Sequence, residues 1–244
     1  MNAETLVVVV AALAGVTAGA LLPRLIALIP DREPATAQAV PATGEHAAGH
    51  TTPYRALAAA PHLPWYLAVA SGGLWAALVA RVGGDAILGA VLLVVTLGVA
   101  MAYIDVREHR LPDWLTYPAF AGAALALAVA AALTGDWSAY GRAWAGAIVL
   151  SGAFVVLALA RPGELGFGDV KLVASLGLLL GWIGWGHVVL GAFLSFLLGG
   201  VLSIVLLSLR RAGRRTAIPF GPFLLAGTFI AIGWGDVLLD AYLG

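Results

Sequence analysis

The chain has 244 residues, of which 61% are hydrophobic and 11% charged, and its mean hydropathy is +0.97. A soluble domain needs far more polar surface, so the composition points to an all-α, polytopic integral membrane protein. A net charge of zero and a pI near 7 give no footprint for nucleic acid. The absence of cysteine excludes disulfides, a thiol nucleophile and any Cys-ligated zinc site.

Apolar runs long enough to cross about 30 Å of hydrocarbon fall at 5–29, 64–82, 85–104, 114–134, 138–160, 169–184, 186–209 and 219–243, which predicts eight membrane helices. The first, after Met1-Asn2-Ala3-Glu4, lacks the basic start of a secretory signal and reads as a retained helix covering residues 1–30. Gly15 and Gly19 in it, and Gly177 and Gly181 further on, have the small-xxx-small spacing that lets membrane helices approach closely. Residues 31–63 hold Pro34, Pro41 and Pro53 with an Ala/Thr/Gly/His mixture, and read as a flexible cytosolic loop. His46, His50 and His62 lie there without the spacing of a metal site. Residues 64–244 form the multi-helix core. Its sixth span, 169–184, is the shortest, and Gly181 and Gly184 interrupt it.

Basic residues set the expected orientation, because cytoplasmic loops retain Lys and Arg. Arg24, Arg32, Arg55, Arg107, Arg110, Arg161, Lys171, Arg210, Arg211, Arg214 and Arg215 fall on one side, and only Arg81 and Arg142 on the other. Both chain ends are then expected outside the cytoplasm. The loops beside Asp105 and Asp169 face the cytosol, and the Arg210 to Arg215 tail is a positive-inside anchor.

Asp105 ends the apolar run 91–104, where a helix dipole disfavours an anion; it reads as a functional acid, a solvated interfacial charge, or an ion-pair partner of Arg107 or Arg110. Asp113 follows Pro112 and precedes Trp114, Leu115 and Tyr117, the arrangement of an N-cap. Asp169 follows Gly166-Phe167-Gly168 and is readable as a helix cap or as a functional carboxylate. The glycines permit φ > 0 and close approach of another backbone. Lys171, the only lysine, is expected to pair with Glu164 or to hold charge near Asp169. Two carboxylates sharing a low-dielectric site keep one proton between them, and such a pair can act as general base and general acid on an amide. That chemistry suits a chain without cysteine and without a Gly-x-Ser-x-Gly motif.

The blocks Asp105-Val-Arg-Glu-His-Arg-Leu-Pro-Asp-Trp-Leu-Thr-Tyr-Pro118, Gly166-Phe-Gly-Asp-Val-Lys-Leu172 and Ile218-Pro-Phe-Gly-Pro-Phe223, in this order, resemble those of the type IV prepilin peptidases, membrane aspartic proteases of the Gly-x-Gly-Asp class. The resemblance covers residues 65–243. It implies Asp105 and Asp169 as the catalytic pair, with Gly166, Gly168, Lys171, Asp113, Pro219 and Gly221 supporting the site. It also implies cleavage of the basic leader of a prepilin or pseudopilin on the cytoplasmic side of the inner membrane, while the substrate's apolar helix stays in the bilayer. Many members also methylate the new amino terminus with S-adenosylmethionine, through a domain with Cys-x-x-Cys zinc ligands. Residues 31–63 hold no cysteine, so no methyltransferase, metal or cofactor is expected here. Presenilin-like proteases share Gly-x-Gly-Asp but carry a Pro-Ala-Leu element where this chain has Pro219-Phe-Gly-Pro222. The alternative from a different class is a transporter or channel using Asp105 and Asp169 as an ion or proton relay.

Overall fold

A computed structural model describes residues 2–31, 52–160, 165–209 and 219–243. His46, His50, Glu164 and the Arg210 to Arg215 tail lie outside the described residues. Nine helices occur among the described residues: α1 (Ala3–Ala27), α2 (Tyr54–Ala58), α3 (Leu63–Val82), α4 (Leu88–Glu108), α5 (Asp113–Thr134), α6 (Trp137–Ala160), α7 (Phe167–Ile183), α8 (Trp185–Ser208) and α9 (Gly221–Leu243). Seven of them are long and apolar enough to cross a membrane, and the protein is a multi-pass membrane protein. The eight predicted spans correspond to α1 and α3–α9. The seven exclude α7, which at 17 residues is about 25 Å long.

Its position explains why α7 tolerates being short. Eleven of its residues are buried, including the run Ser175 to Trp182, so it is wrapped by other helices. Glycines set the closest contacts. A Cβ on Gly177 would lie 2.7 Å from Ala147 Cα, and one on Gly146 would lie 2.7 Å from the Gly177 carbonyl oxygen, so α6 and α7 touch through their backbones. The α1–α3 pair uses the same device, with the position of a Gly19 Cβ blocked by the Leu67 and Ala68 backbone. Both small-xxx-small expectations therefore correspond to real helix contacts.

The segment 31–63 departs from a plain loop. Residues Tyr54–Ala58 form α2, with Tyr54 and Leu57 buried. The Tyr103 hydroxyl donates to the Leu57 carbonyl at 3.0 Å, and the Tyr54 N–H donates to Asp31 Oδ1 at 2.7 Å. A five-residue helix leaves little periodicity in a sequence, and its proline-rich surroundings hide it further.

Successive long helices alternate in direction, so the C-termini of α1, α4, α6 and α8 share one end of the bundle with the N-termini of α3, α5, α7 and α9. Asp105, Asp169 and Gly221 all fall at that end. Arg81 and Arg142 fall at the other.

Candidate active site

Asp105 sits in the last turn of α4. The helix stops because His109 adopts the left-handed conformation, φ 51°, and its N–H closes onto the Asp105 carbonyl at 2.8 Å; Pro112 follows. A carboxylate at a helix C-terminus opposes the dipole. The structure supplies the compensation from far along the chain: the Gly221 N–H, 116 residues away, donates to Asp105 Oδ2 at 2.9 Å. Gly221 is the first residue of α9, so the positive end of that helix meets the anion that α4 disfavours. Pro222 comes next and has no N–H to leave unpaired in the first turn. A Cβ on residue 221 would lie 2.8 Å from Asp105 Oδ2, so glycine is what permits the approach.

Asp169 occupies the third position of α7, after Gly166 as N-cap with extended backbone. No side chain caps this helix by accepting from its first turn, which corrects the reading of Asp169 as an ordinary N-cap. Its Oδ2 instead turns back toward the Gly166 backbone. Its Oδ1 is buried and has no hydrogen-bond partner among the described residues. The freedom of Gly166 and Gly168 to take φ > 0 is not used, since the positive-φ glycines among the described residues are Gly83 and Gly135. Close approach is the actual reason at Gly168, where a Cβ would lie 2.9 Å from Leu111 Cβ. That contact seats α7 against the link between α4 and α5.

Asp105 and Asp169 are the two buried acids among the described residues, at 5% and 8% exposure, and the charge of one acts on the other. The structure thus brings together from three separate helices the residues that the three sequence blocks nominated: Asp105, Asp169 and Gly221. Pro219 is half-buried just ahead of α9.

Asp113 is a correction. Pro112, with extended backbone, takes the N-cap position of α5; Asp113 is the first helical residue and makes no capping bond. Its Oδ1 accepts from Lys171 Nζ at 2.6 Å, and the ammonium also lies 5.0 Å from the Tyr117 ring centroid. The pair ties the first turn of α5 to the first turn of α7, one residue beyond the neighbour of Asp169. Capping statistics favoured the cap reading, because a lysine 58 residues away leaves no local signal.

Two further contacts were not legible in the sequence. Arg110 lies with its guanidinium 4.5 Å from the Tyr54 ring centroid, so α2 is docked onto the α4–α5 link. A polar cavity of about 280 Å³ opens there between Asp31, Tyr54, Arg110 and Asp113. At the opposite end, Arg142 of α6 donates from Nε to the Gly181 carbonyl at 2.9 Å and from a terminal nitrogen to Trp182 at 2.6 Å. It caps the C-terminus of α7, the helix whose other end carries Asp169. Arg142 had drawn notice only as a charge on the basic-poor side.

Residues 90–204, which include Asp105 and Asp169, match the Type IV leader peptidase family. A protein of Pseudomonas aeruginosa named prepilin leader peptidase/N-methyltransferase is 36% identical over 156 residues, covering 64% of this chain and 52% of the relative. The protein of the same name from Aeromonas salmonicida is 36% identical over 159 residues, 63% of this chain and 52% of its own length. That from Legionella pneumophila is 30% identical over 161 residues, with the same coverages. The chain spans about half the length of the curated relatives it matches. No solved structure matches it. Over residues 90–204 the chain is similar to the Type IV leader peptidase family, the family its sequence blocks resemble.

Proposed function

We propose that the protein is a membrane-embedded aspartic endopeptidase that removes the leader peptide of a type IV prepilin or pseudopilin, with Asp105 and Asp169 as the catalytic pair. One observation carries this reading: two buried carboxylates converge at one end of the bundle, one held by the Gly221 N–H and the other with an oxygen that finds no partner among the described residues. Like charges in a low-dielectric site do not both ionise, so the pair holds one proton. The ionised carboxylate takes a proton from water while the water oxygen attacks the leader's carbonyl carbon. The protonated carboxyl gives its proton to the carbonyl oxygen. As the tetrahedral intermediate collapses, a proton passes to the amide nitrogen and the C–N bond breaks. Which aspartate begins as base belongs to the pair as a unit. Gly166, Gly168 and the Asp113–Lys171 pair position α7, and Gly221 positions Asp105.

The substrate presents a basic leader to the site and keeps its apolar helix in the bilayer. The site faces the cytoplasm across the inner membrane, a placement supported by the bias of basic residues toward the aspartate end. The relatives' names include a methyltransferase; with no cysteine in this chain, the proposal is confined to the peptidase.

The test is processing of a prepilin in membranes, read by mass spectrometry of the product. Asp105→Asn and Asp169→Asn are each expected to slow cleavage by about two to four orders of magnitude. Asp113→Asn is expected to keep most activity, because a carboxamide oxygen still accepts from Lys171. Normal cleavage by either Asp105→Asn or Asp169→Asn would sink the proposal, and a methylated product made by this protein alone would extend it to the second activity.

A further inference from the structure

An apolar groove of about 580 Å³ runs along the outside of the bundle between α3, α4 and α9. Its walls carry no Asp, Glu, Lys, Arg or His side chain. At one end stand Ala102, three residues before Asp105 on α4, and Pro222, next to the Gly221 that holds Asp105. At the other end stands Trp234, covered by the Arg81 guanidinium at 4.9 Å from its ring. From Pro222 to Trp234 the groove follows α9 for about 18 Å, a little over three helical turns. Ala70, Ala77, Ala102 and Ala226 line it, so a helix lying there approaches the backbones of all three walls.

We propose that this groove seats the transmembrane helix of the substrate and delivers its end to Asp105. The inference rests on the peptidase reading above. It is carried by continuity with the candidate catalytic pair: a helix filling the groove ends beside Ala102 and Pro222, and the next residues of its chain meet Asp105. That register selects a bond at the boundary between a polar leader and an apolar helix, and rejects bonds within the helix. The almost wholly apolar lining, free of charged side chains, matches an uncharged occupant. A second groove of about 740 Å³, between Trp185–Leu194 of α8 and Leu238–Tyr242 of α9, is larger but opens at the opposite end, away from both aspartates.

A chain without cysteine allows a direct test. Ala70→Cys, Ala226→Cys and, in the second groove, Val189→Cys are each placed in proteoliposomes. The probe is a synthetic peptide with a basic leader, a glycine and an apolar helix carrying one cysteine one or two turns past the glycine. Disulfide cross-links are expected at positions 70 and 226 and not at 189. Ala226→Trp, which fills the groove, is expected to raise KM for the same probe at least tenfold. Cleavage by the cysteine-free chain combined with no cross-link at 70 or 226 overturns the groove and leaves the peptidase standing; an acyl chain is then its occupant. A cross-link confined to 189, or one between two copies of Ala226→Cys that the probe does not suppress, also overturns it. Failure of the cysteine-free chain to cleave any prepilin sinks the peptidase reading itself.

Discussion

A methyl group at position 221 would sit 2.8 Å from Asp105 Oδ2, closer than carbon and oxygen tolerate. Gly221→Ala is therefore expected to push the Asp105 carboxylate off the Gly221 N–H and cut prepilin cleavage by tenfold or more, with the melting temperature changed far less than the rate. Measuring both on one purified sample separates a misplaced acid from a misfolded chain. The pair also dictates a pH profile. In the proposed mechanism cleavage needs one proton on two carboxylates, so kcat/KM is expected to be bell-shaped, falling at low pH when both are protonated and at high pH when both are ionised. A rate that climbs steadily into the alkaline range would contradict the shared proton. A different aspartate responds to pH outside the membrane spans. The Ala139 N–H and the Ser138 hydroxyl hold the Asp136 carboxyl below its ordinary range. Its contribution to stability is present above the unfolded pKa of about 3.9 and is lost as pH falls through the lower folded value. Asp136→Ala is thus expected to melt earlier than the parent at neutral pH and together with it in strong acid.

Among the elements, α7 depends most on its neighbours. Gly177→Leu would drive a side chain into Ala147 Cα and the Gly146 carbonyl, which are backbone atoms that cannot rotate away. The α6–α7 pair is expected to loosen at a cost on the order of 1–3 kcal/mol, visible as a lowered melting temperature in detergent. Arg142→Ala removes the donors to the Gly181 and Trp182 carbonyls and is expected to cost a comparable amount, about 1.5–3 kcal/mol. The contrast between these helices shows what the sequence could reveal. Hydropathy located every long helix to within a few residues, because a span must be apolar over its whole length whatever it packs against. Glycine spacing marked the close helix contacts for a similarly local reason. The meeting of Asp105 with Gly221 has no local signal, since it depends on α9 starting beside the end of α4. Only the resemblance of the three blocks to one family joined them. Asp113 was misread for the converse reason: its neighbours fit a cap, and its actual partner lies on another helix. Arg142 left one usable sign, a lone charge inside an otherwise apolar segment.

The whole molecule is a bundle with the proposed catalytic pair at one end, and the proposed cytoplasmic orientation can be tested without reference to activity. With cysteine introduced singly, a membrane-impermeant thiol reagent applied to intact cells is expected to label Ser138→Cys, between α5 and the body of α6, and to miss Thr52→Cys until the membrane is opened. The reverse pattern would turn the protein over and remove the leader from reach. The two fastened ends of α7 also bear on how the bundle moves. Arg142 grips its last carbonyls, and Asp113 and Leu111 grip its first turn. A rod pinned at both ends cannot slide or tilt to change the spacing of the aspartates. Any adjustment during turnover falls on the facing wall, where a single N–H at the start of α9 meets α4. A small molecule wedged at that seam would fix the catalytic spacing without touching either acid, and inhibitors selected for binding there need not resemble a peptide.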